Sequence, residues 1–210
     1  MLSKEEKKKI EEHIAKLTND ILSDTINSVN SGVSKKKIID DCIMYTVSKF
    51  TPESKMLLSS VYNMLMERTL KEEFFTNSHN KASFYEMNIF KELNEKFNFE
   101  IPSKIEYEES ERKINEWKEA GIITITIIGG VIISISLKKS SPIIVAVVIA
   151  GIMTVINKNK ENNKKEDLTA LVKEYLESVK QSLLSWVDSI AEYYDERVNE
   201  LKKELENKNK

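Results

Sequence analysis

The chain has 210 residues, 31% of them charged, with 32 basic against 34 acidic side chains and a formal charge of −2. Residues 1–119 hold 19 basic and 22 acidic residues and residues 158–210 hold 11 and 12, so neither flank carries the one-signed basic footprint of a nucleic-acid binder. A single cysteine, Cys42, excludes an internal disulfide framework, and few Gly and Pro among abundant Lys, Glu, Ile and Leu point to an all-α fold.

The opening, MLSKEEKKKIEEHIAKLTND, is charged throughout and lacks the apolar region of a signal peptide, so any membrane targeting is expected from an internal segment. Residues 4–29 read as an amphipathic helix. Ser3 is its cap, acids fill its first turn, and Ile10, Ile14, Leu17, Ile21 and either Ile26 or Val29 form its stripe. Asn30-Ser31-Gly32 breaks it. A second helix runs from Ser34 to about Phe50, burying Ile38, Ile39, Cys42, Ile43 and Val47. Thr51-Pro52-Glu53 then reads as a cap, a first-turn proline and an acid, starting a third helix to about Phe75. That helix offers Met56, Leu57, Val61, Met64, Leu65 and Leu70. After a polar break at 77–80, a fourth helix over about 81–97 offers Phe84, Met87, Phe90, Leu93 and Phe97. Phe99 to Ser103 is an irregular connector, and a further helix runs from about Ser103 toward Trp117. Trp117 sits three residues before an apolar stretch. It is either an aromatic anchor at a membrane interface or the i+3 packing partner of Ile114.

Residues 120–137 and 140–157 are two arms of eighteen uncharged residues, separated only by Lys138 and Lys139. At about 1.5 Å per residue each helical arm would reach roughly 27 Å, short but sufficient to cross about 30 Å of hydrocarbon with local thinning. The first arm carries eight isoleucines and the second five isoleucines and four valines. Ten strongly apolar residues contribute roughly −3 to −6 kcal/mol to insertion, so spanning is favourable without a wide margin. Small residues at i, i+4, i+8 supply packing rails: Thr126, Gly130 and Ser134 on one arm, Ala146, Ala150 and Thr154 on the other. In lipid, such rails let helix backbones approach closely. Ser141 suits the cap of the second arm and Pro142 its first helical position, while Lys138 and Lys139 reach for headgroups at the turn. Seven basic residues flank the arms and two sit at the tip, which predicts both termini on the cytoplasmic side of a cell membrane.

Two other readings compete with a helical membrane hairpin. In one, the arms are the buried centre of a soluble helical bundle. In the other, ITITII-GG-VIISIS is a β-hairpin with Ile128 opposite Val131, Thr126 opposite Ile133 and Ser134 opposite Ile125. That register puts polar residues on both faces, so the helical reading is preferred. Beyond the hydrophilic run NKNKENNKKED, residues 166–207 read as one long helix. Its near-heptad stripe is Leu168, Val172, Tyr175 or Leu176, Val179, Leu183, Trp186 or Val187, Ile190, Tyr194, Val198, Leu201 and Leu205. It is expected to pack within the chain and to contribute some coiled-coil self-association.

The organisation expected is therefore an N-terminal helical region over 1–119, an apolar transmembrane hairpin over 120–157, and a linker with a long amphipathic helix over 158–210. Catalytic, cofactor and metal motifs are absent from the sequence. His13 and His79 lack metal-ligand spacing, Cys42 reads as a buried thiol, and Asp40-Asp41 point to different helix faces. An enzyme is not expected, and no cofactor, metal or nucleic-acid partner. The plan resembles that of α-helical pore-forming proteins, which keep an apolar hairpin within a helical bundle; the likeness covers the hairpin and its setting. It implies a bilayer as partner and a homo-oligomer formed through hairpin and C-terminal helix that perturbs or permeates the bilayer. The alternatives are a membrane-anchored protein-interaction module, and a soluble bundle that hides the hairpin or inserts it on a trigger.

Overall fold

The computed structural model describes residues 2–100, 124–128, 131–135, 143–149 and 165–208, and these are predominantly helical. Helix α1 (Lys4–Asn30) starts at a capping box: Ser3 accepts from the Glu6 backbone N–H at 3.2 Å and Glu6 accepts from the Ser3 N–H at 2.6 Å. Its buried stripe is Ile10, Ile14, Thr18, Ile21, Thr25 and Val29, with Leu17 only partly covered. The i, i+4 rhythm therefore holds, with two threonines inside it. Gly32, at φ +78, takes the left-handed turn that leads out of α1, a conformation L side chains rarely adopt.

Helix α2 (Lys35–Thr69) corrects the sequence reading. The expected break at Thr51-Pro52 is absent, and Pro52 lies inside one continuous helix. The cost of an internal proline is one lost hydrogen bond, to the carbonyl four residues back. Ser48 and Pro52 are both exposed, so that carbonyl is on the wet side of the helix. On the dry side Ile38, Ile39, Cys42, Ile43, Phe50, Leu57, Leu58, Val61 and Leu65 form one uninterrupted buried run across the proline. Packing thus overrides the local stop signal.

The chain turns after Thr69 through a single 3-10 turn, Glu73–Phe75, where helix had been expected. The expected fourth helix is two: α3 (Ser78–Glu86) and α4 (Ile89–Lys96). Asn88 joins them at φ 48, ψ 51, and its side chain caps α4 by accepting from the Lys91 N–H at 3.4 Å. Asparagine tolerates this left-handed conformation, so no glycine or proline announces the joint. The rotation brings Ile89 and Leu93 to the interior, whereas Met87 and Phe90 are only partly covered.

The last helix, α5 (Lys165–Lys208), has 44 residues and spans roughly 66 Å at about 1.5 Å per residue. Every position of its predicted stripe is buried, and at both ambiguous places both candidates are: Tyr175 with Leu176, and Trp186 with Val187. α5 packs along α1 and α2, and α3, α4 and strand β1 (Phe97–Glu100) also lie against it.

The central apolar stretch is not the pair of helices expected. Its described parts are three strands, β2 (Thr124–Ile128), β3 (Val131–Ile135) and β4 (Ile143–Ile149). With β1 they form a sheet in the order β1-β4-β3-β2, antiparallel except for the parallel β1–β4 pair. Among the described residues no helix is long and apolar enough to cross a membrane. The helical reading took lipid as solvent, where backbone groups must be satisfied within a helix or a closed barrel. Without lipid, a run made almost wholly of Ile, Val and Thr follows its β-branched preference and pairs with a strand of the body. The register is the one that the hairpin alternative specified: Ile128 opposite Val131, Thr126 opposite Ile133 and Ile125 opposite Ser134. The helix expected over 103–117, the linker and the turn at Lys138 to Pro142 lie outside the described residues.

Leu183 is fully buried midway along α5. Leu183→Ala should destabilise the chain by about 2–5 kcal/mol through lost apolar contact and a residual cavity. Denaturant unfolding should show a lower midpoint with an unchanged slope.

Candidate functional site

The region of interest is where the apolar stretch meets the helical body, along the middle of α5. Phe97 and Phe99 stand two residues apart on β1, and both are buried. Strand geometry puts i and i+2 on one face. Phe97 meets Tyr193 with ring centroids 5.6 Å apart, and Phe99 meets Trp186 at 5.6 Å. Trp186 and Tyr193 are seven residues apart, two helical turns, so they share a column on α5. On its other side β1 pairs with β4, Phe97 opposite Ile143 through Glu100 opposite Ala146. β1 thus joins the sheet at the helical body, and β4 and β3 also reach α5 directly.

The helix just before it is clamped by charge. Glu92 of α4 accepts from Arg197 Nε at 2.8 Å, from Arg197 Nη2 at 2.9 Å and from the Tyr193 hydroxyl at 2.6 Å. Arg197 is paired on its far side with Glu200, and Lys96 stands over the Tyr193 ring at 4.3 Å. Burial pushes the Glu92 carboxyl up, but the bonds from Arg197 and Tyr193 and the charges of Arg197 and Lys96 outweigh that and hold it below its ordinary value. The Tyr193 phenol is pushed up, first by burial and then by the bond it donates to Glu92. Two neutral contacts extend the clamp: Phe90 packs on Tyr62 of α2, and Tyr194 donates to Thr69 at 2.9 Å.

Farther toward the start of α5, the core contains a hydroxyl layer. Thr25 of α1, Cys42 and Thr46 of α2, and Tyr175, Ser178 and Ser182 of α5 are all buried. Thr25, Thr46 and Ser182 donate to carbonyls one turn back in their own helices, at 2.8, 2.8 and 2.7 Å. Their donors are thus spent locally and do little to tie one helix to another. The Trp186 indole N–H is buried without an acceptor, while the Tyr175 hydroxyl lies against Thr46 of α2. A buried polar group left unpaired costs about 1–3 kcal/mol, so Trp186 weakens the α5 seam relative to an apolar side chain of the same shape. Burial also raises the Cys42 thiol, which keeps it protonated and unreactive.

The residues singled out from the sequence divide as follows. Ser134 and Ala146, one from each expected rail, stand opposite each other across β3 and β4, while Thr126 stands opposite Ile133. Gly130, Ala150, Thr154, Lys138, Lys139, Ser141, Pro142 and Trp117 lie outside the described residues. His13 is half exposed and pairs with Glu53 of α2 at 2.5 Å, an α1–α2 contact that its position beside the stripe allows. Asp40 is exposed and Asp41 partly so. Among the described residues no group of His, Cys, Asp and Glu could hold a metal ion. Sequence reasoning missed Glu92, Tyr193 and Arg197, which do not lie on the apolar stripes. It placed Phe97 in a helix, although the Phe-x-Phe alternation at 97–99 before Pro102 is a strand signal.

Compared with known proteins, the chain matches no family model, no curated protein sequence and no solved structure. The functional reading therefore rests on the chain's own geometry and composition.

The clamp gives a pH dependence with a defined sign. Glu92 has its folded value depressed below the ordinary 4.5. Its stabilising contribution is complete above the unfolded value and is lost as pH falls through the folded one. Glu92→Gln should thus lower the unfolding midpoint at neutral pH. The gap between wild type and variant should close as the solution is acidified below pH 4.5. Parallel thermal melts across that range measure it.

Proposed function

We propose that this chain is a membrane-acting helical protein. In the form described, its apolar stretch is stored as strands beside the helical body; in the acting form, the stretch enters a bilayer. The observation that carries this reading is β4. It reads IIVAVVI, without one polar residue, and sits between two other strands. A sheet that faces water on one side alternates apolar and polar residues, and β4 has no such alternation. A strand of this kind belongs to a fully covered core or to a segment that leaves water for lipid. The stretch around it supports the second. Two arms of eighteen uncharged residues have the length of short spans, and the lysines at their outer flanks and tip suit headgroups.

The likeness to α-helical pore-forming proteins adds the expectation that several inserted copies assemble and permeate the membrane. In that form the two arms would pair as a helical hairpin through Thr126, Gly130 and Ser134 against Ala146, Ala150 and Thr154. Both termini would stay on one side. The pairing of β4 with β1 favours one alternative, a soluble bundle that keeps the stretch as core.

Vesicles of phosphatidylcholine with an anionic lipid, loaded with a self-quenching dye, separate these readings. Dye release by the full chain is expected. Flotation with the vesicles without release would make the chain an anchor. Failure to float at all would overturn the membrane reading. Ile127→Arg places a charge at mid-arm and should disfavour insertion by about 2.5–3.5 kcal/mol, roughly a hundredfold or more. Wild-type release by that variant would argue against insertion of this arm.

A further inference from the structure

The outward face of α2 combines two features that rarely meet on a water-facing helix. Met44, Tyr45 and Met56 are 59%, 44% and 57% exposed, three of the four large hydrophobic side chains exposed among the described residues. An α-helix turns by about 100° per residue, so Tyr45, Pro52 and Met56, at i, i+7 and i+11, fall within roughly 40° of one another. They form one apolar column on the side of α2 opposite the buried Ile43, Phe50 and Val61. Lys49 lies to one side of the column and Lys55 to the other, both exposed. Neither lysine has an ion-pair partner among the described residues. From Cys42 to Met66 the only acid is Glu53, which is largely covered and paired with His13 of α1. The face is therefore basic and apolar, in a chain whose acids slightly outnumber its bases.

We infer that this face of α2 is the surface by which the helical body rests on a bilayer of anionic lipid. The assignment rests on the membrane reading above and gives the body an orientation, with α2 against the headgroups. Tyr45, Pro52 and Met56 enter the headgroup boundary, while the stems of Lys49 and Lys55 lie along it and their ammonium groups meet lipid phosphates. Proline sets the depth. Pro52 has no N–H to give the carbonyl of Ser48, and Ser48 is exposed, so that carbonyl needs water. The headgroup layer supplies water and the hydrocarbon does not. Docking is thus shallow and reversible. A second copy of the chain fits the face less well. An antiparallel α2 pair that sets Tyr45 on Met56 brings the two copies of Lys49 together across the dyad. So few side chains also fall short of the about 800 Å² that each partner buries in a stable complex.

Flotation of the full chain with phosphatidylcholine vesicles, with and without phosphatidylglycerol, tests it at low and high salt. Two double variants separate charge from apolar contact: Lys49→Gln with Lys55→Gln, and Tyr45→Ser with Met56→Ser. All four positions are exposed, so thermal melts should match wild type. Wild type should bind the anionic vesicles more strongly, and salt should weaken that binding. Each double variant should partition about tenfold more weakly onto anionic vesicles. Ile127→Arg, which bars the apolar arm from the bilayer, should keep the salt-sensitive binding. Wild-type partitioning by both double variants would overturn the α2 face and leave the membrane reading intact. Loss of binding in the double variants, with no dye release by any chain, would remove permeation and leave the face standing. No binding by wild type would remove both. Sedimentation without lipid covers the rival occupant: a wild-type dimer that the double variants dissolve would make the face a contact between copies and overturn lipid docking.

Discussion

The structure depends on one long apolar column along α5. α1 and α2 pack on it over most of its length, and α4 and β1 occupy its middle and later turns. Isolated helices gain little from propensity alone, so most helical stability comes from burying such a face. Val179, Leu183 and Ile190 are fully buried at its centre, and the charged residues of α5 lie to either side. Because so many elements share one column, a change on α5 is felt at several junctions. A change on α1 or α2 is felt at fewer.

That column is not uniform. Near its start the buried neighbours are hydroxyls whose bonds turn back into their own helices. In the middle sits Trp186, an indole without an acceptor. Farther on, Tyr193, Tyr194 and Arg197 tie α5 to Glu92 and Thr69 by direct bonds. Polar specificity is thus concentrated at the end of α5 that holds α4, and β1 meets α5 through aromatic rings. Ion pairs elsewhere, such as Lys7 with Asp188 and Lys8 with Glu12, are largely exposed and contribute little by comparison.

Helices whose stripes were long and regular were readable without coordinates. The α1 stripe and the whole α5 stripe run at three-and-four spacing over many turns, and such periodicity survives local noise. Boundaries were less readable. Thr51-Pro52 carried every local mark of a helix start, but the buried run from Ile38 to Leu65 crosses it. Asn88 carried none of the usual marks of a joint and adopts the left-handed conformation. The Glu92 clamp was invisible for another reason: its partner Arg197 is 105 residues away, and nothing in local patterning pairs one surface charge with another at that distance.

By itself the sequence determined the helical class, the interior face of the first and last helices, and the presence of two uncharged arms in a charged chain. These follow from composition and from helical periodicity, properties a segment carries with it wherever it sits. The tertiary structure decided the rest: that Pro52 stays inside a helix, that Phe97 and Phe99 leave one for a strand, and that the described parts of the apolar arms pair as strands. A run of β-branched residues is compatible with a helix in lipid and a strand against protein. Its conformation is set by the surface next to it, here β1 on α5, and that neighbour is supplied by residues far away in the chain.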